Sequence, residues 1–207
     1  MTRKMGAMIL ILGGARSGKS SLAEEVARRL GEDAVLYVAT AEAKDEEMEE
    51  RIQRHRLQRP RAWRTLEQPF GVAAAVNESL AGARIVLLDC MTLLVSNIIL
   101  RAGEEDIGAE KMVMAEIEAM ISAAQTTPAT WIVVSNEVGM GLVPSYPLGR
   151  IYRDALGRAN QRLAQAADHV WFLIAGLPMT LKGQSPQQLT LIENRTSPQN
   201  YGVHGEI

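Results

Sequence analysis

The segment with the clearest chemical meaning runs from Gly13 to Ser20 and has the spacing G-x-x-x-x-G-K-[ST]. It follows an apolar run and precedes a helical pattern, which is the strand–loop–helix order that a phosphate-binding loop requires. Backbone N–H groups in such a loop converge on phosphate oxygens, and the positive end of the following helix adds a favourable field. The residues expected to contact a nucleotide here are Gly13, Gly14, Ala15, Arg16, Ser17, Gly18, Lys19 and Ser20.

Two side chains of this loop and one remote acid predict how the phosphates are bound. Lys19 brings a positive charge to the β- and γ-phosphates, and Ser20 offers a hydroxyl to a phosphate-bound Mg²⁺. Farther along, four apolar residues end in Asp89, the pattern of a buried parallel strand whose carboxylate emerges beside the loop. We therefore expect Ser20 and Asp89 to hold Mg²⁺; an incidental acid at a strand end is the alternative for Asp89.

A charged segment from Lys44 to Arg59 predicts a helix that ends before Pro60. At 3.6 residues per turn, His55 extends its apolar stripe and Arg59 lies nearby. Spacing alone favours a packed histidine with a satisfied ring nitrogen. The neighbouring arginines favour the alternative, a neutral imidazole that acts as a nucleophile or ligand beside bound phosphates. Glu67, near the end of a short extended segment, could bind a ribose or a base edge, or simply be solvated.

Alternating strand and helix patterns, with at least five strands of the parallel type, predict an α/β fold of the P-loop NTPase kind. Its doubly wound, mostly parallel sheet is flanked by helices, and the binding site lies over the carboxyl ends of the strands. We expect one domain over residues 1–182 and a peripheral or poorly ordered tail over 183–207. The segment from Asn136 to Pro144 follows a strand; it is either a ligand-binding loop or a flexible connection.

The bulk properties restrict the class of partner. With 22 basic and 24 acidic side chains the net charge is −2, which argues against non-specific binding of nucleic acid or of anionic membranes. No segment approaches the ~20 apolar residues of a membrane span. A single cysteine, Cys90, cannot form an internal disulfide. These features predict a cytoplasmic protein that holds its anionic substrate locally.

Several segments together resemble one family, the bifunctional adenosylcobinamide kinase/adenosylcobinamide-phosphate guanylyltransferases of cobalamin biosynthesis. The resemblance rests on the phosphate loop and on further segments along the chain. These are Tyr37-Val38-Ala39-Thr40-Ala41, Arg51-Ile52 with His55-Arg56, Arg59-Pro60 with Trp63-Arg64-Thr65, and Asn136-Glu137-Val138-Gly139-Met140-Gly141-Leu142-Val143-Pro144. Together with the segment around Arg153 to Ala164, they span about residues 8 to 182.

The resemblance implies two reactions: phosphorylation of adenosylcobinamide by a nucleoside triphosphate, then reaction of that phosphate with GTP to give adenosylcobinamide-GDP and pyrophosphate. GTP is expected in the second reaction, and either GTP or ATP in the first. Family members pass through a guanylylated histidine, and the matching residue is His55, with Lys19 as the other catalytic side chain. The implied nucleotide contacts outside the loop are Ala39, Thr40, Ala41, Arg56, Arg59, Glu67 and Asp89.

This chain departs from the family pattern at two positions. Arg54 stands where some members carry a second histidine, and Asp89 stands where glutamate is common. The family also implies a homotrimer. Two other functions remain open from the residues alone: a P-loop small-molecule kinase without nucleotidyl transfer, and a nucleotide-sensing ATPase whose Asn136–Pro144 loop contacts a protein partner.

Overall fold

A computed structural model of the chain describes residues 6–43, 46–103 and 106–189. Within this part, strands and helices alternate and seven strands form one sheet. The strands are β1 (Met8–Gly13), β2 (Val35–Ala39), β3 (Arg64–Glu67), β4 (Ile85–Asp89), β5 (Thr130–Asn136), β6 (His169–Ile174) and β7 (Leu177–Lys182). The helices are α1 (Lys19–Gly31), α2 (Glu46–Gln58), α3 (Val72–Ser79), α4 (Met91–Ala102), α5 (Asp106–Thr126) and α6 (Pro147–Ala166).

The strand order in the sheet is β3-β2-β4-β5-β1-β6-β7. Every neighbouring pair is parallel except β6 and β7. All residues of β1 are buried, as expected for a central parallel strand covered on both faces. The mostly parallel, doubly wound α/β sheet predicted from the sequence is thereby confirmed. Because the strands run in one direction, the ends of β1, β2 and β4 meet at the same edge.

Two apolar layers hold the helices on the sheet. One layer contains Trp131 and packs α3, α4, α5 and α6 on one face. The other contains Trp171 and packs α1 on the opposite face. Alternate residues of β1 belong to different layers, because successive side chains of a strand point to opposite faces. Helix α1 is thus fixed beneath the sheet edge at which the phosphate loop leaves β1.

Strand β7 does not follow from the sequence pattern, in which Gly176 and Pro178 close the last strand. The chain instead reverses at Ala175 (φ 51°) and Gly176 (φ 81°). Positive φ at both central residues is typical of a two-residue hairpin turn. Pro178 then lies in an edge strand, where its missing N–H costs no ladder hydrogen bond. Glycine and proline therefore mark a hairpin here rather than the end of the sheet.

The proposed tail begins with residues that contact the sheet. The Trp171 indole N–H donates to the Gln184 carbonyl at 2.7 Å, and the Gln184 N–H donates to Nδ1 of His169 at 2.9 Å. Leu189 packs against the layer that covers α1. Residues 190–207 lie outside the described part, so the division at residue 182 stays a prediction. No helix among the described residues is both long and apolar enough to cross a membrane.

Candidate active site

The phosphate loop connects β1 to α1 at the carboxyl edge of the sheet. Gly18, the residue before α1, has φ 94°, and Gly13 ends β1 with φ 153°. The Ser17 N–H donates to the Gly14 carbonyl at 3.3 Å, while the Ser17 carbonyl accepts from the Gly176 N–H at 3.0 Å. These bonds hold the loop against the β6–β7 hairpin. The loop is therefore shaped by its own glycines and by a turn that is distant in sequence.

Lys19 points back into the loop. Its side chain is buried, and Nζ donates to the Gly14 carbonyl at 2.6 Å. Burial lowers the pKa of Lys19 below its usual value, while the nearby Cys90 and Asp89 oppose this effect. Because the lysine is enclosed beside the loop backbone, its charge is available to a phosphate with little competing water.

Gly13 and Gly14 make a matched pair for a stability test. A Cβ on Gly13 would lie 2.6 Å from the Leu173 carbonyl oxygen, whereas a Cβ on Gly14 would meet nothing within 4 Å. We expect Gly13→Ala to lower the free energy of unfolding by about 2 kcal/mol or more, because backbone must move to admit the methyl group. Gly14→Ala should change it by less than about 0.5 kcal/mol. Urea denaturation measures the free energy of unfolding of both variants. Equal losses would contradict the conclusion that backbone contact restricts Gly13 and not Gly14.

Asp89 ends β4 and is held by a tyrosine from the neighbouring strand. The Tyr37 hydroxyl donates to Oδ2 of Asp89 at 2.9 Å. In the parallel pairing of β2 with β4, Ala39 lies opposite Asp89, so Tyr37, two residues earlier, is on the same face of the sheet. Burial raises the pKa of Tyr37, and the Asp89 carboxylate raises it further, so the phenol stays protonated and keeps donating.

Helix α2, which carries His55, lies beside the edge of the sheet at which β2 and β4 end. His55 is half-buried on α2. Just beyond α2, the Arg59 guanidinium lies 3.7 Å from the centre of the Tyr37 ring, a cation–π contact. Among the described residues, no hydrogen-bond partner reaches the buried Nε and Nη1 atoms of Arg59. Arg56 instead forms a half-exposed ion pair with Glu67 on β3. Arg59 therefore offers free donors, whereas one guanidinium nitrogen of Arg56 is engaged by Oε1 of Glu67.

Two cavities meet beside His55. The loop cavity, of about 740 Å³, is bounded by the phosphate loop, Arg54 and Asn136. The side cavity, of about 250 Å³, lies among β2, β3 and α2. The described residues that line both are Ser20, His55, Asp89 and Cys90. The structure thus brings Lys19, Ser20, His55 and Asp89 around one junction.

The side cavity is lined by a mixture of apolar and charged groups. The apolar lining residues include Ala39, Ala41, Met48, Ile52 and Leu93, and the charged ones are Glu49, Arg56, Arg59, Glu67 and Asp89. An apolar cavity with a few convergent polar groups is the usual form of a small-molecule site. All of the predicted contacts outside the loop line this cavity except Thr40.

Thr40 is fully buried and uses its hydrogen bonds within the protein. Its hydroxyl donates to the Cys90 carbonyl at 2.7 Å and accepts from the Cys90 N–H at 3.0 Å. Asn97 donates to the Thr40 carbonyl at 2.8 Å. Thr40 therefore ties the end of β2 to the residue after Asp89, and it lies outside the lining of both cavities.

The segment after β5 also reaches the phosphate loop. Asn136 lines the loop cavity, and the Glu137 N–H donates to the Gly13 carbonyl at 3.0 Å. Farther on, Met140 and Leu142 are 82% and 97% exposed. The beginning of the segment thus belongs to the site, while its tip projects from the molecule. The position of Asn136 in the cavity lining, rather than the backbone bond of Glu137, supports the ligand-binding interpretation of the segment.

Three residues at the site were not singled out as site residues from the sequence: Tyr37, Arg54 and Cys90. Tyr37 had a detectable signal, since it precedes Ala39 by two residues and so shares its face of β2. Cys90 follows Asp89 directly and is partly buried, and desolvation of its thiol raises its pKa to about 11. The thiol is therefore protonated at neutral pH and is a poor nucleophile.

Comparison with known proteins gives one consistent family. A family model described as cobinamide kinase / cobinamide phosphate guanyltransferase matches residues 9–181. The bifunctional adenosylcobalamin biosynthesis protein CobP of Pseudomonas aeruginosa is 45% identical over 175 residues, which cover 84% of this chain and 97% of that protein. The bifunctional adenosylcobalamin biosynthesis protein CobU of Escherichia coli and its counterpart in Salmonella typhimurium are each 42% identical over 183 residues, 84% of this chain and 99% of theirs.

Among solved structures, the flagellar accessory protein FlaH from Methanocaldococcus jannaschii has a TM-score of 0.49 and 16% identity, over 88% of this chain and 81% of that one. The family match spans the phosphate loop, α2 with His55, β4 with Asp89 and the segment after β5. The resemblance inferred from the motifs is confirmed. The chain belongs to the cobinamide kinase / cobinamide phosphate guanyltransferase family and is a transferase of phosphorus-containing groups.

Proposed function

We propose that this chain phosphorylates adenosylcobinamide with a nucleoside triphosphate and then transfers GMP from GTP to the new phosphate through a guanylyl group on His55. The second reaction yields adenosylcobinamide-GDP and pyrophosphate. The observation that carries the proposal is the position of His55, whose side chain lines both the loop cavity and the side cavity. A nucleophile at that junction reaches a phosphorus atom that lies between a nucleoside and its terminal phosphates.

In the first reaction, the phosphate loop holds the triphosphate and the acceptor hydroxyl attacks the γ-phosphorus. The bond from that phosphorus to the β–γ bridging oxygen breaks, the nucleoside diphosphate leaves, and the hydroxyl proton is released to solvent. The loop amides and Lys19 neutralise charge on the transferring group, because phosphoryl transfer depends chiefly on positioning and electrostatics. Ser20 and Asp89 fit Mg²⁺: both offer oxygen ligands, and both line both cavities. When bound, Mg²⁺ supplies further positive charge to the phosphates.

In the second reaction, a ring nitrogen of His55 attacks the α-phosphorus of GTP. The bond from that phosphorus to the bridging oxygen breaks, and pyrophosphate leaves. A phosphate oxygen of cobinamide phosphate then attacks the same phosphorus, the P–N bond breaks, and the electron pair returns to His55. GTP is the proposed nucleotide of this step, with GTP or ATP in the first.

The guanosine group is proposed to occupy the side cavity. Ala39 and Ala41 leave space along the wall, and the free N–H donors of Arg59 suit oxygen acceptors of the nucleotide. Arg56 and Glu67 sit at the same cavity, already joined as an ion pair. A carboxylate such as Glu67 accepts hydrogen bonds from a ribose or a base amine, which supports its proposed contact with the nucleoside.

Labelling with GTP tests the covalent step. After incubation with α-labelled GTP and removal of free nucleotide, the protein should retain label that is lost in acid and stable in base. Protein incubated with γ-labelled GTP should retain none, and His55→Ala should retain none from either position. Absence of α-label in a protein that binds GTP would favour the P-loop kinase without nucleotidyl transfer. Absence of any phosphorylated corrinoid would favour the nucleotide-sensing ATPase.

Asp89 offers a prediction with a natural control. We expect Asp89→Asn to slow the kinase step by about 10- to 100-fold and to raise the Mg²⁺ concentration for half-maximal rate, because the neutral amide is a weaker ligand. Asp89→Glu restores the residue common in the family and should retain most activity. Mg²⁺ titrations of the initial rate measure both variants. An unchanged Mg²⁺ requirement in Asp89→Asn would assign Asp89 a purely structural role.

We further propose a cytoplasmic homotrimer that binds no nucleic acid. The exposed apolar side chains of Met140, Leu142 and Val143, on the projecting part of the segment after β5, support a subunit contact there. The net charge of −2 supports the lack of nucleic-acid binding, and the single cysteine supports a reducing compartment. Sedimentation equilibrium measures the assembly directly.

A further inference from the structure

The two cavities differ in the charge they offer to a second anionic substrate. The loop cavity carries the loop amides and three basic side chains, Lys19, Arg16 and Arg54, against two acidic ones, Glu50 and Asp89. The side cavity carries two basic side chains, Arg59 and the ion-paired Arg56, against three acidic ones, Glu49, Glu67 and Asp89, so its positive charge is already balanced. His55 lines both. A guanylyl group on His55 therefore faces a strongly phosphate-binding surface on the loop side.

The stereochemistry of phosphorus restricts where the second substrate enters. In an in-line displacement, the attacking atom and the leaving atom lie on opposite sides of the phosphorus. When His55 attacks, pyrophosphate leaves on the side opposite its ring nitrogen. When the guanylyl group is later discharged, His55 is the leaving group. The entering oxygen must therefore approach from the side that pyrophosphate vacated.

We propose that the acceptor, the phosphomonoester of cobinamide phosphate, binds at the phosphate loop in the place left by pyrophosphate. This inference rests on the proposed function, because it takes the guanylyl group on His55 as its starting point. The loop then serves three anions in turn: the triphosphate, the leaving pyrophosphate and the entering monoester. No bond changes are needed beyond those already given, in which the oxygen–phosphorus bond forms as the P–N bond breaks.

The competing position for the monoester is Arg59. Its buried Nε and Nη1 have no partner among the described residues, and it lines the side cavity. The side cavity, however, is about 250 Å³ against about 740 Å³ for the loop cavity, and the guanosine of the guanylyl group must occupy one of them. With guanosine in the side cavity, the loop cavity is the larger and more basic space left for the monoester.

A shared loop fixes the order in which the anions bind and leave. The monoester formed in the kinase step must leave the loop before the second GTP binds, and it must return after pyrophosphate departs. Pyrophosphate and cobinamide phosphate therefore exclude each other from the guanylyl-enzyme.

A partition experiment on the wild-type guanylyl-enzyme tests this exclusion. Enzyme carrying α-label is freed of nucleotide and mixed with pyrophosphate and cobinamide phosphate together, and labelled GTP and labelled cobinamide-GDP are counted. The reference point is the cobinamide phosphate concentration that gives equal amounts of the two products at a fixed pyrophosphate concentration. With a shared site, raising cobinamide phosphate from one-tenth to ten times that concentration lowers the GTP share of the label from about 90% to about 10% by mass action. Raising pyrophosphate in turn drives the GTP share back towards completion. In neither titration, therefore, does the product share stop at a plateau short of completion.

Separate sites give a different result. Both anions then bind together, and at saturation the two products keep a fixed ratio, so at least one titration stops at a plateau short of completion. That plateau in a normally formed guanylyl-enzyme would overturn this inference alone. Failure to form the guanylyl-enzyme would overturn the proposed function and this inference with it.

Arg59→Gln separates the two positions independently. Loss of the proposed Arg59 contact to the guanosine acts on discharge by both anions, so the measured quantity is the ratio of the half-saturating concentrations of cobinamide phosphate and pyrophosphate. If the monoester binds at the loop, this ratio should change by less than about threefold, a free energy below 1 kcal/mol. A rise of the ratio by tenfold or more would place the monoester at Arg59 instead.

Discussion

Replacing His55 by asparagine is expected to abolish GMP transfer while phosphorylation of adenosylcobinamide continues at a similar rate. Asparagine keeps a polar, planar side chain at the junction of the cavities but cannot form a stable guanylyl adduct. Loss of a covalent nucleophile commonly costs several orders of magnitude, so we expect transfer to fall by at least about 1,000-fold. The kinase rate should change by less than about threefold, because the phosphate loop does not depend on this side chain.

The measurement is a coupled assay that separates cobinamide phosphate from cobinamide-GDP. In the variant, cobinamide phosphate should accumulate and pyrophosphate should not form. Parallel loss of both activities in His55→Asn would instead assign His55 to the fold or to the binding of both substrates.

The local parts of this site could be predicted from the sequence because their geometry is encoded in consecutive residues. The phosphate loop needs two glycines, a lysine and a serine at fixed spacing between a strand and a helix, and all of them lie within residues 8–31. Asp89 could be predicted as well, since parallel strands deliver their last residues to one edge. Neither prediction requires knowledge of how distant side chains pack.

The parts that could not be predicted depend on contacts between elements. The periodicity of α2 places His55 on an apolar stripe but does not reveal that the other side of the stripe is an open junction between two cavities. Arg59 follows the helix with no pattern of its own, and its stacking on Tyr37 depends on how α2 meets β2. Strand β7 does not follow from the sequence for another reason. The positive φ angles of Ala175 and Gly176 form a hairpin turn, whereas glycine and proline in the sequence equally indicate the end of the sheet.

Replacing Lys19 by methionine is expected to slow both reactions by about 100- to 1,000-fold, the usual cost of removing one preorganised charge from a phosphoryl-transfer site. Methionine matches the length of the lysine stem, so the loop should keep its shape. Lys19 is buried and burial lowers its pKa, so removal of its charge also relieves a desolvation cost that offsets the lost bond to the Gly14 carbonyl. The free energy of unfolding should therefore change by less than about 1 kcal/mol.

Steady-state rates of each step and urea denaturation of the same preparation separate chemistry from stability. Lys111→Met is a suitable control because Lys111 is exposed on α5, away from both cavities, and this variant should leave both rates unchanged. If Lys19→Met slowed only the kinase step, the loop would hold the γ-phosphate alone, and pyrophosphate would leave from another surface. Equal losses in both steps would instead mean that one loop binds the phosphates of both reactions. A single triphosphate site can then support both phosphoryl transfer and nucleotidyl transfer in so small a domain.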